Sequence, residues 1–417
     1  MLKTIPDYTP AFPGYNSFPK DSDGKFVIPT EKREINGELQ DVIVIERTNT
    51  VNFGGGLIGL CDGSKIADES WLLLRKRFIL REDDGTDRFF WSVGGSDAAP
   101  VQGVSKWANA RMVYDKKMSV CDKPVDAEKD YMFAFGHINE PLIAEGFQAL
   151  TNMNVVKNST VFFREDIGFM QANVDYMVQH PDDSWSILEI KTTSPETTTA
   201  ITFSNGDAPL HYKPQAYHYG IVLGAAFNIK GTFFACGVDN ILGHIKRVFV
   251  PRNKEDEAKL LESEKLFESY LRFQTPPPLS DGSVNGKDLQ KYLGSQQTPT
   301  ETPAKLSEKG LETAKEYLKL SDEIKEKKKE LDVLNDKAEK LKATIIEEMD
   351  GATITESFID ENGELKLFSY ASSSRMGINQ DILKTKYPEI YEEVAIETVV
   401  RRFTAKKPPK SKKAVKK

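Results

Sequence analysis

Glu189 and Lys191 stand inside an otherwise apolar run, SWSILEIKTTS (184–194), in which Trp185, Ile187, Leu188 and Ile190 read as buried strand. Side chains alternate along a strand, so Trp185, Ile187, Glu189 and Lys191 share one face. Ser186, Leu188, Ile190 and Thr192 share the other. Glu189 and Lys191 are then about 7 Å apart along the strand. The preceding run, ANVDYMVQ, carries Asp175, and HPDDS between the two reads as a hairpin turn. That turn sets Asp175 opposite Glu189 or on a near diagonal. Adjacent carboxylates repel, and burying either is costly. A divalent cation relieves both penalties, and Mg²⁺ needs only one or two carboxylates, leaving positions for water and phosphate oxygen. A nearby lysine can orient or activate the attacking water, or stabilise charge on the phosphate. An acid on one strand and E-x-K on the next therefore point to metal-dependent phosphodiester hydrolysis.

An E-x-K triplet alone is common on exposed strand faces, where it is merely a salt bridge. Two further features add weight. FGHINEPLIAEGF puts Glu140 one helical turn after Gly136 on the same face, leaving space over the acid. HYKPQAYHYG puts Gln215 and Tyr219 on one helical face, able to read a nucleotide backbone. Both pairs are also ordinary for a helix surface. His137, His211 and His218 lack H-x-x-x-H spacing, so they read as surface or half-buried residues rather than zinc ligands. Cys61, Cys121 and Cys236 are far apart and read as small, reduced core residues. NFGGGLIG has no following phosphate-loop lysine and reads as a turn.

The elements that must hold these residues form an α/β chain. A hairpin turns about Asn36-Gly37, and DESWLLLRKRFILRE reads as a helix capped near Asp68. Residues 126–151 read as helix, 160–193 alternate with period two, and a helix is expected over 213–227. Strands near 231–236 and 244–250 precede a helix capped by Asn253. The expected organisation is a β-rich extension (1–64), a core (65–275) and a Pro-containing linker (276–305). An amphipathic helix or coiled coil (306–349), a small α+β region (350–404) and a basic tail (405–417) follow. Net charge is −7, and without the seven lysines of the tail the remainder stands at −14. An acidic body argues against a generic nucleic-acid coat, whereas the tail suits a polyanion or a solvated end. No signal peptide or membrane-spanning run is visible, so a cytoplasmic location is expected.

WLLLRKRF, VGGSDAAPVQGVSKW, FGHINE, ANVDYMV…ILEIKTT and KPQAYHYG occur in this order across about residues 70–280. The ordered set resembles the lambda-exonuclease-type (YqaJ-type) viral recombinases of the PD-(D/E)XK nuclease superfamily. The resemblance implies a nuclease core with a mixed central sheet flanked by helices. It implies a Mg²⁺-dependent exonuclease (Mn²⁺ as substitute) that digests linear double-stranded DNA from 5′ ends, leaving 3′ single strands. The partners it implies are DNA ends, a single-strand annealing protein and further copies of the chain, in a bacterial host cell if phage-encoded. By motif, Asp175, Glu189 and Glu140 match the metal-binding acids, Lys191 the catalytic lysine and Gln215 the glutamine that follows. Arg75 and Ser96 match positions that hold a terminal 5′-phosphate. FILREDDGTDRFFW lengthens the gap between them, leaving Arg77, Arg81 and Arg88 as alternatives, and Val174 stands where proline is frequent. A RecB-like nuclease of other polarity, an endonuclease, and a non-catalytic DNA-binding protein on the same fold are the rival readings.

Overall fold

Asn36 and Gly37 take φ of 53° and 79°. Positive φ at both positions gives the tight turn that matches the twist of two antiparallel strands. Thr30–Ile35 and Glu38–Glu46 accordingly pair in the expected hairpin. The structure, a computed structural model, describes residues 4–119, 127–238, 245–279, 286–296, 303–370 and 384–394. The basic tail and Cys121 lie outside the described residues. Two units are distinct, Met1–Leu293 and Gly294–Lys417.

Among the described residues, the first unit is mixed α/β and is built on three sheets. One has the order Thr30–Ile35, Glu38–Glu46, Arg77–Arg81, Asp87–Trp91. A second runs Val51–Gly54, Leu57–Asp62, Thr160–Arg164, Met170–Ala172, Val93–Gly94. The third runs Ile245–Pro251, Ile229–Val238, Trp185–Thr193, Tyr176–Gln179, Asn154–Lys157. Trp185–Thr193 is its centre, parallel to Ile229–Val238 and antiparallel to Tyr176–Gln179. Coverage on both faces explains why this strand reads as near-continuous apolar sequence. Ile143, Ala144 and Phe147 of helix Ala127–Thr151 pack with Leu188 and Ile190. Tyr219, Val222 and Leu223 of helix Lys213–Leu223 join the cluster that holds Ile187. This second helix is the crossover that a parallel strand pair needs. Helix Lys254–Arg272 starts at Asn253, whose side chain accepts from the Glu255 and Asp256 N–H groups.

Four expectations need correction. Helix Gly286–Gln296 lies within the expected 276–305 linker, and His218 is fully buried rather than at the surface or half-buried. The helix at Asp68 ends at Leu74, and Arg77–Arg81 is a strand. Its side chains are buried on both faces from Arg77 to Leu80, and it pairs with Glu38–Glu46 and Asp87–Trp91. Tertiary pairing outweighs the helical propensity of the run. The helix expected over 213–227 stops at Leu223. The lengthened FILREDDGTDRFFW segment is a hairpin whose return brings the chain back toward Arg75. Cys61 and Cys236 are free and buried; burial pushes the Cys236 thiol up to about 12.

The second unit contains helix Glu308–Glu348, capped by the Ser307 hydroxyl, with none of its residues buried. Its apolar positions, Leu320, Ile324, Leu331 and Leu334 among them, are exposed. Phe358–Ile359 and Leu365–Lys366 form the hairpin about DENGEL. No described helix is long and apolar enough to cross a membrane.

Candidate metal and phosphate site

The antiparallel register Tyr176↔Leu188, continued one residue, sets Asp175 opposite Glu189. Asp175 Oδ2 accepts from the Ile190 N–H at 2.8 Å. Lys191 and Glu189, on one face of the strand, meet with Nζ 2.7 Å from Oε1. Gln215 bridges them: its Nε2 donates to Glu189 Oε1 at 2.7 Å, and its Oε1 accepts from Lys191 Nζ at 3.2 Å. Gln215 Nε2 also donates to the Tyr219 hydroxyl at 2.9 Å, and that hydroxyl donates to the Asn173 carbonyl at 3.1 Å. The i, i+4 spacing of Gln215 and Tyr219 thus aims both inward at the acid.

Electrostatics mark the cluster as carrying excess negative charge. Burial, then Glu189 and Glu140, push the Asp175 carboxyl well above its ordinary value. Burial also raises Glu140, with Glu189 adding to it, while His137 at 3.6 Å opposes the rise. Burial works against the Lys191 charge, but Glu189 and Asp175 outweigh it and hold its pKa above the usual lysine value. Glu189 is 4% exposed, and its Oε2 is buried with no hydrogen-bond partner. A buried carboxylate oxygen without a donor is costly unless something positive occupies it. Mutually repelling carboxylates with a free oxygen fit a hard divalent cation. Among the described residues no three His, Cys, Asp or Glu side chains form a ready cage. The donor set suits an ion that keeps part of its water shell.

Arg75 and Ser96 open on the same place. Arg75 Nη2 donates to Ser96 Oγ at 2.5 Å, and its guanidinium lies 4.5 Å from the Trp71 ring centroid. A cavity of about 200 Å³ is lined by Trp71, Arg75, Ser96, Asn173, Asp175 and Tyr219. Gly95 permits this closeness: a Cβ there would stand 2.5 Å from the Tyr219 ring. The alternative arginines are engaged elsewhere. Arg77 is buried against Gln40 and the Lys117 carbonyl, Arg81 binds Asp87 and Glu31, and Arg88 binds Glu82 and Glu165. Over Gly136 a Cβ would meet nothing, so the space beside Glu140 is open.

Sequence reasoning missed Asp97, Lys117 and Tyr212. Asp97 follows Ser96 directly, but nothing in the pattern announces Lys117, whose Nζ lies 2.8 Å from the Asp97 carboxylate. Tyr212 lays its ring 5.0 Å from Lys191 Nζ. His218 is buried between Glu264 and the Gln171 carbonyl, away from a metal role.

Fold and site together define an α/β domain whose lysine-flanked acidic cleft shares a cavity with an arginine–serine pair. Residues 70–226 match the model of the YqaJ-like viral recombinase domain. Over 356 residues the chain is 26% identical to the uncharacterized protein YqaJ of Bacillus subtilis (strain 168), covering 83% of this chain and 97% of that protein. Among solved structures it is similar to the alkaline exonuclease LHK-Exo of Laribacter hongkongensis, at 15% identity and TM-score 0.35, over 49% of this chain and 95% of that one. It is likewise similar to LHK-Exo in complex with dAMP, at 16% identity and TM-score 0.34, over 44% and 91%.

Proposed function

We propose that the protein is a metal-dependent exonuclease acting on linear double-stranded DNA from 5′ ends, with a PD-(D/E)XK core. The observation that carries this reading is the shared cavity: Asp175 and the Arg75–Ser96 pair line one space of about 200 Å³. A duplex end with its phosphate on Arg75 and Ser96 would lie beside the acids. Arginine suits that role because its planar fork binds phosphate oxygens in pairs and never loses its charge.

Asp175, Glu189 and Glu140 are the residues that would hold Mg²⁺ or Mn²⁺. When bound, the ion supplies Lewis-acid polarisation of the phosphate and an acidified water. The chain's own part is to orient and to stabilise charge. Lys191, 2.7 Å from Glu189, stands where it can orient the attacking water or stabilise developing negative charge on the phosphate. Gln215 holds Glu189 and Lys191 in register, and Tyr219 fixes Gln215. Digestion would leave 3′ single strands for recombination through an annealing partner, in the cytoplasm of a bacterial host. The exposed apolar seam of helix Glu308–Glu348 supports a coiled-coil contact, with a second copy or another protein.

The test is digestion of duplex DNA labelled at either end, with Mg²⁺ or with EDTA, on 5′-phosphate and 5′-hydroxyl ends. Mg²⁺-dependent loss from the 5′ end, faster with phosphate and absent in Lys191→Ala, is expected. Loss from the 3′ end or cleavage of circular DNA would move the protein to another nuclease class. Full cleavage by Lys191→Ala would overturn the assignment of the lysine.

A further inference from the structure

Trp107 is 59% exposed, yet its backbone is pinned. The buried Ser105 hydroxyl accepts from the Trp107 and Ala108 N–H groups, both at 3.3 Å. Asn109 Oδ1 accepts from the Met112 N–H at 3.0 Å and caps the next helix, while Nδ2 donates to the Leu279 carbonyl at 2.7 Å. A large indole left in water forgoes hydrophobic stabilisation. Here the anchored backbone holds it out, as a binding element would be held.

The indole meets His211 edge to face, with ring centroids 4.7 Å apart and planes at 89°. His211 in turn stands 4.3 Å from Tyr212, and Tyr212 lies 5.0 Å from Lys191 Nζ. A continuous line of rings therefore runs from solvent to the lysine of the acidic cleft. Burial, with Lys106 and Lys191 nearby, brings the His211 pKa down to about 4, so the ring is neutral at pH 7. Its Nε2 is buried without a protein partner. Lys106 is exposed and makes no ion pair among the described residues. Leu210, next to His211, is also exposed.

We infer that Trp107 and His211 form a stacking platform for an unpaired nucleobase, with Lys106 taking a phosphate of the same strand. The inference rests on the nuclease reading of the adjacent cleft. Aromatic faces interleaved with cations are how proteins hold single strands without reading sequence, because every base has a π-face. A protein partner is less suited to this patch, since exposed Lys106 makes no ion pair among the described residues and stands beside Trp107, and an apolar interface core excludes unpaired charge.

The experiment is fluorescence anisotropy of a labelled oligo-dT with the full chain in EDTA, where no digestion occurs. Duplex digestion in Mg²⁺ is run in parallel. Trp107→Ala should weaken oligo-dT binding by about 5- to 100-fold, and Trp107→Phe should restore most of it. Lys106→Gln should lower the slope of log Kd against log salt by about 0.7. Thermal melts confirm that the variants fold, as an exposed side chain allows. If the wild type digests DNA and Trp107→Ala binds oligo-dT as tightly as it does, the platform is overturned and the nuclease reading stands. If the wild type digests nothing but binds oligo-dT through Trp107, the nuclease reading falls and the platform stands. If the wild type neither binds nor digests, both fall.

Discussion

Lys117 Nζ lies 2.8 Å from Asp97 Oδ2 and donates to the Arg75 carbonyl at 2.9 Å. Asp97 Oδ2 also accepts from the Gly94 N–H at 3.0 Å. One buried ion pair thus ties the end of helix Asp68–Leu74 to the start of helix Gly95–Val101, and so spaces Arg75 against Ser96. Burial alone would raise the Asp97 carboxyl, but Lys117 and Arg75 hold it below its ordinary value. Removing one partner leaves the other charge buried and alone. Lys117→Met should cost about 3–5 kcal/mol, read from urea unfolding. At temperatures where the variant is folded, it should lose the preference for 5′-phosphate over 5′-hydroxyl ends. An unchanged preference would show that the pair only stabilises the fold.

The acidic cleft should destabilise the protein when no cation is present. The Asp175 carboxyl is raised well above its ordinary value by burial, Glu189 and Glu140. A folded pKa above the unfolded one means that the folded chain holds more protons. That stability is complete below the unfolded value and is lost as pH rises through the folded value. In EDTA the wild-type melting temperature should therefore decline from the ordinary carboxylate range toward neutrality. Asp175→Asn, which keeps an acceptor for the Ile190 N–H, should lack this decline and melt higher at pH 7. Added Mg²⁺ should raise Tm of the wild type and not of the variant. Equal melting of the two in EDTA at every pH would contradict the charge argument.

A second ion cluster predicts the opposite slope. Arg47 binds Glu82 through two nitrogens at 2.8 and 2.9 Å and Glu165 through two at 3.0 and 2.6 Å. Its hydrogen bonds bring Glu82 down to about 2, against burial, and also depress Glu165. Depressed carboxylates stabilise above their unfolded pKa, and that stability is lost as pH falls through the folded value. The window runs from about pH 4.5 down to about 2. Arg47→Leu should flatten the acid limb of a Tm–pH curve and cost about 1–2 kcal/mol at pH 7, since both acids are a quarter exposed. An unchanged acid limb would assign that slope to other groups.

His218 is fully buried, with Nδ1 2.8 Å from Glu264 Oε1 and Nε2 2.9 Å from the Gln171 carbonyl. A carbonyl only accepts, so Nε2 carries a proton, and Nδ1 shares another with Glu264. His218→Leu should cost about 3–5 kcal/mol by urea unfolding, because it strands Glu264 and the carbonyl. The double replacement by His218→Leu and Glu264→Leu should cost less than the single one. A double variant weaker than His218→Leu would show that packing, not the stranded acid, sets the cost.

What the sequence by itself determined was local. Asn36-Gly37 dictated its turn because only positive φ suits that position, and Asn253 dictated a helix start because its side chain completes the first turn. Asp175 opposite Glu189 was legible because a short hairpin and a period of two leave little freedom of register. Arg77–Arg81 was misread as helix because a strand covered on both faces loses its alternation. Only the tertiary structure brought Arg75 to Ser96, Lys117 to Asp97 and Trp107 to His211. Those pairs lie tens to about a hundred residues apart, and no local periodicity encodes which distant elements will pack. Their meeting is decided by how the sheets and helices bury their shared core, and the charges and rings are carried into place by that packing.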